Sequence, residues 1–413
     1  MRPSATSAMW SAAALDDAQA ARQAGRDDLS LMLMDARNRS LRWLSAFETA
    51  GQLLGGEGHA AVPLRWIGHV AWFQEFWTSR HVQRLRGEAA DESAPRLPSL
   101  DTRADAWFSP EHLPDWRDGQ GPLVREVRDY MSQTLEVTLD LLATAPPTDE
   151  ALHVFRLVLL HEDRLAERLA VAAQWLGVRP EDPALAPWSA PLRPQRQPLW
   201  IPAGEVALGS PPGGLVPPNE RWAHAIQVPE FEIDAQAVSW ARFAEFVQDG
   251  GYDNPAWWTP EGWQWVSEAQ RRSPRGVAQL RTNVVLERWG QLGRVDAGLP
   301  ATHVTWHEAQ AWCTWAGRRL PTEAEWEQAA TTTRSRGFVW GDVQEWMLGS
   351  ARPYPGGERR SVAGFGVLNI PAGYRVLRGA SAWTARRAAH LKARRLVSGL
   401  RDDLFCGFRS CAL

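Results

Sequence analysis

Side chains able to ligate a metal, move a proton or act as a nucleophile are sparse in this chain: 3 Cys, 10 His and 4 Tyr among 413 residues. Cys313, Cys406 and Cys411 are an odd, sparse set. That suits a reducing cytoplasm better than a disulfide framework. Cys406 and Cys411 read as two small buried hydrophobes. His69 and His161 each stand on the apolar side of a helical pattern. A lone imidazole in that setting is more often a hydrogen-bonded core residue than a metal ligand. Tyr354 lies between Pro353 and Pro355, a sequence typical of a turn. The chain also holds 24 Trp. Indoles mainly supply buried area, but their faces can also line a pocket for a cationic ligand.

These residues belong to two stretches of different character. Leu29, Met32, Leu33, Ala36, Leu41, Leu44 and Phe47 recur at helical spacing. Trp66, His69, Phe73, Phe76 and Trp77 mark a second helix. A third runs from about Pro122 to Leu142, with Leu123, Val127, Tyr130 and Leu135 on one stripe, and a fourth carries Val154, Val158, His161, Leu165 and Leu169. Gly55-Gly56, the polar stretch Glu88 to Arg103 and Pro146-Pro147 separate them. Four amphipathic helices with polar connections predict a four-helix bundle over residues 20–180. A Pro-rich linker follows over 181–200, then an α+β domain over 201–413. There short apolar runs such as Val228–Ile233 and Tyr374–Leu377 alternate with helical pieces at Ser239–Asp249 and Trp306–Ala316. Thr322 and Glu325 form a capping-box pattern.

Net charge is −3 with both signs interspersed, which gives no footprint for nucleic acid or an anionic membrane. No stretch approaches the ~18 apolar residues of a membrane span. Met1 to Trp10 lacks the apolar core of a signal peptide. The expectation is a cytoplasmic protein working on small molecules.

The second stretch resembles the formylglycine-generating-enzyme (sulfatase-modifying factor) family along nearly its whole length. The resemblance rests on Ile201-Pro202-Ala203-Gly204, His303-Val304-Thr305-Trp306 and Gly317-Arg318-Arg319-Leu320-Pro321-Thr322-Glu323-Ala324-Glu325-Trp326. It continues through Gly341-Asp342-Val343-Gln344-Glu345-Trp346, Leu377-Arg378-Gly379-Ala380-Ser381 and Gly407-Phe408-Arg409. It implies a C-type-lectin-like α+β fold. Formylglycine-generating enzymes hold copper through two cysteines shortly after the motif at Arg378–Ser381; here no cysteine follows before Cys406, so that chemistry is not expected.

The first stretch resembles the DinB-like bundles of sulfoxide synthases of ergothioneine biosynthesis, through His69–Trp77 and His161-Glu162-Asp163-Arg164-Leu165-Ala166-Glu167. Arg401–Leu413, with the compressed Trp340–Trp346, is similar to the selenoneine synthase branch of that family. The resemblance implies non-haem Fe(II), with dioxygen as co-substrate, joining hercynine (trimethylhistidine) to a selenosugar. The alternative is a thiol donor, as in carbon–sulfur coupling. It assigns His69 and His161 to the metal and gives Tyr354 the place of a phenol that donates a proton or hydrogen atom.

One residue departs from the family pattern. The relatives' second helix motif is His-x-x-x-His, whose rings project to one side of the helix. Here Leu165 stands four after His161. Glu162 is about 100° around the helix and His153 two turns away, so neither is well placed to substitute. Leu165 therefore also admits a ligand-binding homologue without a competent metal. The run Arg394-Arg395-Leu396-Val397 lacks the aromatic and acidic residues found there in ergothioneine-type enzymes, so no substrate contacts carry over. Hercynine's cation needs aromatic faces and its carboxylate an Arg or amide donors. The Trp-rich run Asp253–Trp263 could supply such a wall.

Overall fold

The computed structural model describes residues 15–55, 62–111, 116, 121–187, 194–281, 283–356 and 369–413. Its first part is helical: α1 (Ala18–Gln23), α2 (Arg26–Thr49), α3 (Pro63–Thr78), the short α4 (Ala104–Phe108), α5 (Val124–Thr144) and α6 (Asp149–Leu176). The long helices α2, α3, α5 and α6 pack against one another and bury the apolar stripes. Local chemistry sets their ends. Asp27 and Asp28 occupy the first turn of α2, where carboxylates complement the helix dipole. Thr148 caps α6 through its hydroxyl, and Gly177 closes it in the left-handed region that glycine adopts without strain.

Leu123 lies off the expected stripe. It is the extended N-cap residue of α5 and 52% exposed, because the Glu126 carboxylate accepts a hydrogen bond from its backbone N–H and starts the helix one residue later.

The second part is α+β. One sheet has the order β1 (Leu199–Ile201), β4 (Phe231–Ile233), β13 (Cys411–Ala412), β8 (Arg318–Arg319). Another has the order β11 (Arg394–Ser398), β10 (Tyr374–Arg378), β9 (Gln344–Trp346), β12 (Cys406–Gly407). A hairpin pairs β2 (Gly204–Leu208) with β3 (His224–Val228), and β5 (Val277–Leu280), β6 (Val284–Arg288) and β7 (Gln291–Val295) form a three-stranded sheet.

The apolar run Val228–Ile233 is split between β3 and β4, since Pro229 has no N–H for a ladder. Helices α7 (Trp240–Gln248), α8 (Pro260–Glu268), α9 (Trp306–Trp315) and α10 (Glu323–Thr332) complete this part. The capping boxes at Thr305–Glu308 and Thr322–Glu325 are both formed. The Trp-rich run is more ordered than a loop: it contains the start of α8, capped by Thr259 with Pro260 at the first helical position. The three cysteines are free and buried. Among the described residues, no helix is long and apolar enough to cross a membrane.

Buried polar contacts join the two parts. The Arg387 guanidinium donates to both Asp163 carboxylate oxygens, at 2.7 and 2.9 Å, and to Asp35 at 2.7 Å. Arg22 reaches Glu220 with two hydrogen bonds, and Ser381 Oγ donates to Glu167 at 2.7 Å. Paired planar groups of this kind fix orientation as well as distance. They hold α6 against the segment that follows β10.

Candidate metal and substrate site

A cavity of about 370 Å³ lies where these contacts converge, lined by residues of α3, α6, β9, β11 and the segment after β10. His69 from α3 and His161 from α6 both face it, with ring centroids 5.3 Å apart. Each ring is held. His69 Nδ1–H donates to the Phe108 carbonyl at 2.8 Å. A carbonyl can only accept, so the proton is on Nδ1 and the Nε2 lone pair is left for another partner. His161 stacks on Phe73 at 3.8 Å and 9°, and His69 stacks on Trp72.

Burial lowers the pKa of both, most for His161, where His69, Arg164 and Arg168 add to the effect. Neutral imidazole is the form that binds a metal.

Leu165, 6% exposed, lines the same cavity one turn on from His161. The neighbouring carboxylates are engaged elsewhere. Glu162 accepts from Arg37 at 2.9 Å and Ser40 at 2.8 Å inside the helical part. Glu167 reaches the cavity wall, but its oxygens accept from Ser381 and from Gln344 at 3.0–3.1 Å. His153 is buried near Glu88 and Arg221, outside this cavity. Among the described residues, no three His, Cys, Asp or Glu side chains gather into a metal cage. The donor set is thus two converging imidazoles. That fits an open metal site in which substrate and solvent supply the remaining ligands.

Residues 186–344 match the family model of the sulfatase-modifying factor enzyme 1-like domain, so the α+β part is a C-type-lectin-like domain of this kind. The hercynine oxygenase of Mycolicibacterium smegmatis is 34% identical over 370 residues, covering 86% of this chain and 79% of the relative. The hercynine oxygenase of Mycobacterium tuberculosis is 30% identical, over 88% of this chain and 93% of the relative. This chain belongs to the hercynine oxygenase family. The formylglycine-generating enzyme of Streptomyces coelicolor, 32% identical, matches only 36% of the chain and 52% of its own length.

Within this family member Tyr354 lies apart from the two histidines. It is buried in the lectin-like domain, where its hydroxyl donates to Glu323 at 2.9 Å and accepts from Arg378 at 3.1 Å. Burial raises its pKa, and Glu323 raises it further against the opposing effect of Arg378 and Arg394. Arg394 lies over its ring at 3.8 Å, pairs with Glu323 through two hydrogen bonds, and also contributes to the cavity wall. Tyr354 itself does not line the cavity.

Of the Trp-rich run, Trp258 packs on Phe246 and Tyr252, and none of its residues lines the cavity. Trp66 supplies the aromatic wall instead. The sequence pattern sets Trp66 on the His69 side of its helix but assigns it no role. It did not find Arg164, Arg168 or Glu167 as wall residues, although all three follow His161 at spacings of three, seven and six.

Proposed function

We propose that this protein binds hercynine in the cavity between α3, α6 and β11 and joins its imidazole ring to a selenosugar in an oxygen-dependent reaction. The observation that carries the reading is the convergence of His69 and His161 on one cavity in a chain of the hercynine oxygenase family. His69 and His161 would hold Fe(II), with Leu165 leaving the third family position open. Bound there, iron supplies the one-electron chemistry that lets triplet dioxygen react with closed-shell organic molecules.

The hercynine ring loses a C–H bond and the donor a Se–H bond as the carbon–selenium bond forms. Dioxygen takes the four electrons, ending as one water and one oxygen on selenium. Phe73, Trp72 and the Phe108 carbonyl keep the two imidazoles oriented. Tyr354 enters as a positioning residue acting through Arg394, because its hydroxyl is already engaged by Glu323 and Arg378. The selenium donor rests on the C-terminal resemblance, and the free cysteines suit a reducing cytoplasm, where selenols and thiols persist.

Carbon–sulfur coupling is a second reading, favoured by the arginines of the cavity, which suit an acidic thiol better than a neutral sugar. Leu165 favours a third, a hercynine-binding homologue without competent metal. One assay separates the three: anaerobic Fe(II)-loaded protein with hercynine, then oxygen, with a selenosugar or a thiol supplied separately. A selenium-containing product by mass spectrometry, lost in His161→Ala, supports the first. A product only from the thiol supports the second, and hercynine binding without any product the third.

A further inference from the structure

A second space of about 510 Å³ adjoins the first, and Trp66, Arg168 and Arg395 line both. Arg168 follows His161 by seven residues on α6, so the two project from the same face about 10 Å apart along the helix. A small amino acid reaching from the histidines toward the second space therefore passes these guanidinium groups.

They are short of counter-charge. The Arg168 guanidinium lies over Trp66, 3.8 Å from the ring centroid, and among the described residues no carboxylate pairs with it. Arg395 donates to Gln344 at 3.3 Å, and its nearest carboxylate, Glu167, stands 3.9 Å away and already accepts from Ser381 and Gln344. The other arginines of the second space are satisfied: Arg401 by Asp403, Arg275 by Asp402. Partial desolvation by the cavity wall, and then Arg395, Arg401 and Arg65, pull the Arg168 pKa down to about 10, although the residue remains exposed to solvent. Both guanidinium groups stay open to solvent at the cavity, where two like charges with little counter-charge attract an anion, and their planar forks match a carboxylate. The stacking on Trp66 holds the Arg168 fork in place before any ligand arrives.

We infer that Arg168 and Arg395 form a carboxylate-binding subsite that fixes how a substrate lies against the two histidines. The inference rests on the proposed function for the identity of the substrate. The carboxylate belongs either to hercynine or to an acidic thiol donor.

Calorimetric titration of the Fe(II)-loaded protein under anaerobic conditions tests it. Hercynine is compared with N,N,N-trimethylhistamine, which lacks the carboxylate, and cysteine with cysteamine. The unaltered protein should prefer one carboxylate-bearing partner by about tenfold or more, as charge-assisted hydrogen bonds imply. Arg168→Met and Arg395→Gln should each close most of that gap, and Arg168→Lys should restore part of it. A gap in the hercynine pair assigns the subsite to hercynine; a gap in the cysteine pair assigns it to the donor. Thermal midpoints identify any variant that fails to fold, and either arginine alone suffices for the test. No preference in the unaltered protein, or one that survives both substitutions, overturns the subsite. Failure of hercynine and trimethylhistamine to bind at all counts against the proposed function instead, and leaves the subsite to be judged on the cysteine pair.

Discussion

Two clusters of charge lie beside β11, and they are built on opposite terms. Arg394 and Arg395 are neighbours on one strand, so their side chains leave it on opposite faces. Arg394 joins Arg378, Glu323, Glu327, Lys392 and Tyr354 in a closed network. Arg395 faces the histidine cavity, where Arg168 is its neighbour and the nearest carboxylate among the described residues, that of Glu167, is already engaged. A buried charge that is fully paired holds a fold together, while a solvent-exposed one left underpaired beside a cavity is available to a ligand. On the proposed reading the lectin-like domain is the support, and the surface shared with α6 is where recognition would occur.

Substitutions can break or sharpen that contrast. Removing either imidazole should have the largest effect: His69→Ala or His161→Ala abolishes product formation, exceeding the roughly 10–100-fold loss typical of an outer partner. Mass spectrometry of the coupled product reads this.

Next comes Arg378→Met, which leaves Glu327 buried and short of its partner. It should lower unfolding free energy by about 3–5 kcal/mol in urea titrations. Arg168→Met, with no carboxylate to orphan, should stay within about 1 kcal/mol of the parent. Equal losses in the two variants would erase the distinction.

Tyr354→Phe tests the junction between the clusters. Loss of its hydroxyl should cost about 1–3 kcal/mol of stability. Turnover should fall by less than about tenfold, as expected of a group that acts through Arg394; a far larger loss with unchanged stability would return Tyr354 to proton transfer.

Leu165→His, placing a second ring one turn from His161, should tighten Fe(II) binding by roughly tenfold or more. Competition with a calibrated chelator measures it.

The smallest difference between variants is in pH dependence. Burial lowers the pKa of His69 and His161 and brings His81, His303, His307 and His390 down to about 4. The unfolded chain takes up these protons first, at the ordinary histidine value of about 6.5. Metal-free protein should therefore lose stability as pH falls from about 6.5 toward 4, and the loss should be shallower in His161→Gln. Urea midpoints at stepped pH would show it.

Much of this was legible in the sequence because it is local. Leu29, Met32, Leu33 and Ala36 announce α2, and Thr322 with Glu325 announces the start of α10, since caps and stripes act within a few residues. The departure at Leu165 could be read against the His-x-x-x-His pattern that the resemblance implies, and the structure places that side chain at the cavity wall.

What escaped the sequence depends on chain segments brought together from far away. Arg387 meets Asp163 and Ser381 meets Glu167 across more than 200 residues, and no periodicity encodes such pairs. The different facing of Arg394 and Arg395 follows from β-strand alternation and became visible only once β11 was paired with β10. The flanking motif that singles out Tyr354 says nothing about Glu323 and Arg378 closing over its hydroxyl. The Trp-rich run drew attention through composition, yet the indole at the cavity is Trp66.

The central claim is that His69 and His161, from two different helices, hold one metal ion between them. Anaerobic equilibrium dialysis against Fe(II), followed by metal analysis of the unaltered protein and of folded His69→Ala and His161→Ala, tests it most directly. The account predicts one iron per chain in the unaltered protein and loss of that iron in each variant. Iron retained in both variants, or none bound by the unaltered protein, would contradict it.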